Sequence, residues 1–129
     1  LNSITAGVTE EAGISRLTLL VDGTKTNTEQ LIKQLYKIIE VTKVIDITSD
    51  KKIVRELVLV KIFATKSSRS EIMQIVDIFR GRIVDVSHSA IIVEITGDIL
   101  KIESFLDLIR PFGIKDIART GVTAMNRGE

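Results

Sequence analysis

Residues 57–121 read LVLVKIFATKSSRSEIMQIVDIFRGRIVDVSHSAIIVEITGDILKIESFLDLIRPFGIKDIARTG, and the order of apolar periods in this stretch decides the fold. Leu57 to Ala64 is a β-type run. Its positions 57–63 are apolar on both faces except at Lys61, which predicts a central, well-covered strand. Ser70 to Arg80 carries Ile72, Ile75, Val76 and Phe79 at helical spacing, and Ser68 with Glu71 has the spacing of a capping box. Ile83 to Val86 and Ala90 to Ile95 are short strands around the polar turn Ser87, His88, Ser89. Ile99 to Ile109 is a second helix, opened by Gly97 and Asp98 and stopped by Pro111. Ile114 to Arg119 closes as a strand. The order βαββαβ predicts an α+β fold of four antiparallel strands with both helices on one face, the split-βαβ or ferredoxin-like arrangement.

Working outward to the front of the chain, a weak alternation over residues 1–10 and the β run Ser15 to Val21 are joined by Glu10, Glu11, Ala12 and Gly13, which predicts a hairpin. Asp22, Gly23 and Thr24 end its second strand. Thr26 with Glu29, or Asn27 with Gln30, gives capping-box spacing before Leu31, Ile32, Leu35, Ile38 and Ile39, an amphipathic helix. Val44 to Ile47 predicts a short strand, and the polar connector Thr48 to Lys52 is the expected domain boundary. LTLLVDG (Leu17 to Gly23), a helix and VIDIT (Val44 to Thr48) parallel IIVEITG (Ile91 to Gly97), a helix and IKDIART (Ile114 to Thr120). The parallel predicts two ferredoxin-like units in tandem, 1–52 and 53–129, the first without its opening strand and helix. Such units leave one sheet face bare and strand edges exposed, so pairing with another copy or a larger partner is expected.

Composition excludes several functions. Among 129 residues the net charge is only +1 and the charges are interspersed, so no basic stripe exists to neutralise phosphates and nucleic acid is not an expected partner. The absence of Cys removes disulfides and thiolate chemistry, and suits a reducing compartment. No apolar run approaches the ~20 residues of a membrane span, so no membrane partner is expected. The single His88 sits in a turn between two serines, with no orienting carboxylate, and reads as a hydrated turn residue rather than a triad base. One His and scattered carboxylates offer no metal-ligand spacing. Glu10 and Glu11 read as hydrated turn residues, and no phosphate-binding glycine motif is present. What remains is a binding or regulatory module.

Several blocks then resemble one family. ISRLTLLVDG (Ile14 to Gly23), EQLIKQLYKIIEVTKVIDIT (Glu29 to Thr48), RELVLVKI (Arg55 to Ile62), EIMQIVDIFRGRIVDVS (Glu71 to Ser87) and PFGIKDIARTGVTAMNRG (Pro111 to Gly128) resemble, in this order, the regulatory or small subunit of acetolactate synthase, also called acetohydroxyacid synthase. The resemblance implies an ACT domain followed by a second ferredoxin-like domain, no catalytic residues and no cofactor in this subunit. It implies as partner the thiamine-diphosphate-dependent catalytic (large) subunit, activated and made sensitive to valine. It further implies a homodimer through ACT domains, with the effector at that interface, in bacterial cytosol or plastid stroma. The family's effector loop has no counterpart in residues 1–129, so the effector-contact candidates are Ser3, Thr5, Ala6 and Gly7 on the strand expected to lie across the interface from it. There backbone groups could hold an amino acid's amino and carboxylate groups. A strand glycine such as Gly7 serves equally as a bulge. Arg119, Thr120 and Gly121 read either as a strand end with its turn or as contact to the catalytic subunit. The rival function is a stand-alone amino-acid-sensing ACT protein.

Overall fold

A computed structural model describes residues 2–22 and 25–128, with the backbone alone for Lys25 and Thr26. The expected strand end at Gly23 and Thr24 and the cap at Thr26 lie outside the described residues. Two compact units are present: Leu1–Ile53 together with Ala124–Glu129, and Val54–Thr123. No helix among the described residues is long and apolar enough to cross a membrane.

The second unit is built on β3 (Lys52–Phe63), α2 (Arg69–Ile78), β4 (Arg82–Val86), β5 (Ala90–Gly97), α3 (Ile99–Ile109), a 3-10 turn at Arg110–Phe112 and β6 (Ile114–Asn126). The sheet order is β4-β5-β3-β6, so the unit's last strand lies beside its first. Along β3 the pleat sends Val58, Val60 and Ile62 to one face, opposite Ile95, Val93 and Ile91 of β5. These six pack with Ile72 and Val76 of α2 and with Ile102, Phe105, Leu106 and Ile109 of α3. Phe79 meets Phe105 edge to face at 5.5 Å. Each such aliphatic or aromatic side chain, fully withdrawn from water, contributes about 1.5–3 kcal/mol, so this one layer dominates the unit's stability. α3 starts as expected, with Asp98 accepting from the Lys101 N–H at 2.8 Å.

Other details correct the sequence reading. β3 is central but covered on one face only, because both helices lie on the same side; Leu59 (40% exposed) and Phe63 (46%) stand on the open side. Ser68 makes no side-chain cap to α2. The preceding turn is instead closed by Thr65, whose Oγ1 accepts from Ser68 N at 3.1 Å while Ser68 Oγ accepts from Thr65 N at 2.9 Å. α2 ends with Arg80 in the left-handed region (φ 56°), and at Gly81 an added Cβ would stand 3.3 Å from both Val76 and Val93, so that position has little room for a side chain. β6 continues to Asn126 through Gly121, whose φ of 86° lets the strand bend and go on where the sequence reading ended it.

In the first unit β1 (Ser3–Val8) and β2 (Ser15–Leu20) form a two-stranded antiparallel sheet followed by α1 (Lys25–Tyr36). This is the same order as β4, β5 and α3. Asn27 lies inside α1 rather than ahead of it. The helix stops at Tyr36, short of Ile38 and Ile39, where the chain tightens through Lys37 N to Gln34 O and Ile38 N to Leu35 O bonds. The β-branched sequence Ile38, Ile39, Val41, Thr42 is a poor continuation for a helix. The strand expected at Val44–Ile47 is absent. Tyr36 Oη accepts from Val44 N (2.9 Å) and donates to Val44 O (3.2 Å), occupying groups a sheet would use. In the second unit the last strand pairs with the first, and residues 2–22 hold no counterpart of that first strand for Val44–Ile47 to join. The residues from Ala124 onward group with this unit, through Arg16 Nη2 to Ala124 O (2.6 Å), Arg127 N to Lys51 O (2.9 Å) and Asn126 Nδ2 to Asp50 Oδ2 (3.0 Å). Among its described residues only Ala124 is buried, so the described residues of this unit form no closed core.

Candidate functional site

The four effector-contact candidates lie on β1, in register with β2: Ser3 opposite Leu20, Thr5 opposite Thr18, Ala6 opposite Leu17 and Gly7 opposite Arg16. The hairpin is closed by an exposed turn in which Thr9 Oγ1 accepts from Glu11 N at 3.2 Å and Thr9 N donates to Ile14 O at 3.1 Å. Glu10 and Glu11 are exposed there.

The pleat sorts the candidates. Ser3, Thr5 and Gly7 point to one face of the hairpin and Ala6 to the other. The Thr9–Ile14 bond sets the parity of the ladder, so the backbone groups of Ser3, Thr5 and Gly7 turn inward to β2 and those of Ile4, Ala6 and Val8 turn outward. Among the described residues β1 has only β2 as a neighbour, which leaves that outer row as an open strand edge. Sequence reasoning missed Ile4 and Val8, whose backbone shares the edge with Ala6; strand parity is the signal that finds them.

Gly7 stands in ordinary extended backbone, and a Cβ built on it meets nothing within 4 Å. No packing among the described residues therefore requires glycine at this position. What a missing side chain does permit is close approach from outside.

The Arg119–Gly121 block belongs to the framework. Arg119 grips Glu56, which is 5% exposed, through Nε to Oε1 (2.6 Å) and Nη2 to Oε2 (3.0 Å), and reaches Glu103 at 3.1 Å. This two-pronged bond, chiefly to Glu56, holds the guanidinium charged, its pKa pushed above the usual arginine value. Thr120 Oγ1 accepts from Leu57 N at 3.1 Å and donates to Gly121 O at 2.8 Å. The three residues thus tie β6 to β3 and α3. His88 is exposed in the β4–β5 turn; its carbonyl, with that of Ser87, accepts from Arg69 Nη2 (2.9 and 2.8 Å). Among the described residues no three or more His, Asp or Glu side chains gather as a metal site.

Comparison with known proteins bears on the whole chain. Residues 55–128 match the family described as small subunit of acetolactate synthase, and residues 1–43 match the AHAS small subunit-like ACT domain. The acetolactate synthase small subunit of Bacillus subtilis is 50% identical over 129 residues, covering 99% of this chain and 75% of that one. The crystal structure of the acetolactate synthase small subunit from Thermotoga maritima superposes with a TM-score of 0.87 at 43% identity, over 98% of this chain and 80% of that one.

Proposed function

The chain belongs to the acetolactate synthase small-subunit family, and from that premise we propose that it is a non-catalytic regulatory subunit. In this reading it binds the thiamine-diphosphate-dependent catalytic subunit in the cytosol or plastid stroma, raises its turnover and makes it sensitive to valine. The observation that carries the effector site is Gly7: a glycine without an internal reason, on a strand whose outer backbone row is open. Outward N–H groups on β1 suit an amino acid's carboxylate and outward C=O groups suit its ammonium, while an absent side chain leaves room for the isopropyl group. A second copy meeting β1 would close the site and form the homodimer.

Regulation then follows from differential binding. Valine inhibits only if it binds one geometry of the dimer more tightly than the other, and a coupling of about 1–3 kcal/mol would shift the catalytic subunit's response by roughly 5–150-fold in effector affinity. Gly7→Val tests the placement: an added Cβ meets nothing within 4 Å among the described residues, so stability is expected to stay within ~0.5 kcal/mol of the parent while valine inhibition of the reconstituted enzyme is lost. An unchanged valine response in that variant removes the site from β1.

A further inference from the structure

The residue that faces Gly7 across the hairpin also holds the last strand of the chain. Arg16 is the register partner of Gly7, and strand parity makes the two a hydrogen-bonded pair. The main chain of Arg16 therefore follows any shift of Gly7, and its side chain stands on the same face. From there Arg16 Nη2 donates at 2.6 Å to the carbonyl of Ala124, 108 positions further along the chain. No carboxylate among the described residues pairs with this guanidinium. A charged donor committed to a neutral carbonyl by so short a bond fixes a position rather than neutralising a charge.

That carbonyl lies on β6, one continuous strand from Ile114 to Asn126. Earlier on the strand Arg119 is clamped to Glu56 at 2.6 and 3.0 Å, and between Arg119 and Ala124 only Gly121, at φ 86°, leaves the ordinary strand region for the left-handed one. Beyond Ala124 the strand is tied to the connector, through Asn126 Nδ2 to Asp50 Oδ2 (3.0 Å) and Arg127 N to Lys51 O (2.9 Å). Arg16 thus joins the hairpin, at the position of Gly7 itself, to a strand that other groups anchor elsewhere.

We propose that Arg16 is a positioning residue that couples effector binding at β1 to the response of the catalytic subunit, through its bond to the Ala124 carbonyl. The proposal rests on the effector reading of β1. A ligand seated against Gly7 favours one placement of that strand, and Arg16 moves with Gly7 through their paired backbone bonds. A hydrogen bond weakens steeply as its angle closes and its length grows, so two placements of β1 differ in how firmly Ala124 is held. β6, fixed at Arg119 and bent at Gly121, takes up the difference. The ligand needs no contact with Arg16. Such coupling is reciprocal: if valine alters the catalytic subunit's state through this bond, the catalytic subunit alters valine affinity by the same factor.

The test measures valine affinity by calorimetry for the full chain alone and in complex with the catalytic subunit, beside turnover of the complex across a valine titration. In the parent the two affinities should differ by about 5–150-fold. Arg16→Met keeps the aliphatic stem and removes the donor. Alone it should bind valine as the parent does, while in the complex the difference in affinity disappears and valine no longer inhibits. Arg16→Lys restores a charged donor and should recover part of both. Arg110→Met, which removes an exposed ion pair to Asp107, should behave as the parent. Gly7→Val should instead lose valine binding and inhibition together, which separates the two claims. A Gly7→Val chain that still responds to valine removes the site from β1; loss in Gly7→Val beside an Arg16→Met complex that valine still inhibits overturns only the coupling role. An Arg16→Met chain that no longer binds valine, an Arg16→Lys chain no better than Arg16→Met, or a parent with equal valine affinity alone and in the complex would overturn it too.

Discussion

Removing the Arg119 side chain isolates what holds the second unit's last strand in place. Arg119→Ala leaves Glu56 as a carboxylate, 5% exposed, facing the vacated site. Loss of one partner from a buried pair costs roughly 3–5 kcal/mol, but Arg119 is 36% exposed and water can enter after truncation, so about 2–3 kcal/mol is expected. Glu103 is 47% exposed, and Glu103→Ala should cost at most about 1 kcal/mol. Replacing both members as Glu56→Gln with Arg119→Met should recover much of the loss, since no buried charge then remains. The assay is urea unfolding of the parent, Glu56→Gln, Arg119→Met and the two combined, which closes a double-mutant cycle, beside Arg119→Ala and Glu103→Ala, with hydrogen exchange of the β3 and β6 amides to assign the change to the second unit. A coupling of about 1–3 kcal/mol is expected. Strict additivity, or an Arg119→Ala chain as stable as the parent, would refute the framework role and return this block to the candidates for contact with the catalytic subunit.

Two further outcomes follow from local geometry. Gly113 has φ 98° and a built Cβ would lie 2.9 Å from Phe63 Cδ2, so Gly113→Ala should destabilise the chain by about 1–3 kcal/mol in thermal or urea unfolding; a neutral effect would show that the turn after α3 is free to rearrange. Asp46 accepts from Thr48 Oγ1 (2.6 Å) and Thr48 N (3.0 Å), which holds its carboxyl below the usual aspartate value. A depressed folded-state pKa contributes stability above the unfolded value of about 3.9 that is lost as pH falls through the folded one, and at this exposed position the amount is well under ~1 kcal/mol. Thr48→Val should move the Asp46 titration, followed by carboxyl NMR, upward toward the unperturbed value. No movement would assign the shift elsewhere.

The second unit was legible because its elements carry unambiguous periods and its core uses them: the row Val58, Val60, Ile62 and the stripe Ile102, Phe105, Leu106, Ile109 are the residues that pattern alone selects. Legibility failed where the determining fact is non-local. The apolar character of Leu57, Leu59 and Phe63 reads as burial on both faces, yet those side chains stand on an open face, and apolarity without burial is what an interface leaves in a sequence. Val44–Ile47 has strand composition but, among the described residues, no strand to join. Gly121 reads as a stop because its left-handed φ is also compatible with a bulge inside β6, and nothing local tells the two apart. At the candidate site the strand was legible, but the division of its residues between two faces and an open edge came only from register.

Reconstitution tests the central claim most directly. Purified catalytic subunit is assayed for acetolactate formation alone and with a stoichiometric excess of this chain, each across a valine titration. A regulatory small subunit predicts higher turnover on addition and an inhibition curve by valine that the catalytic subunit alone lacks. Turnover and valine response that are the same with and without the chain would contradict the account.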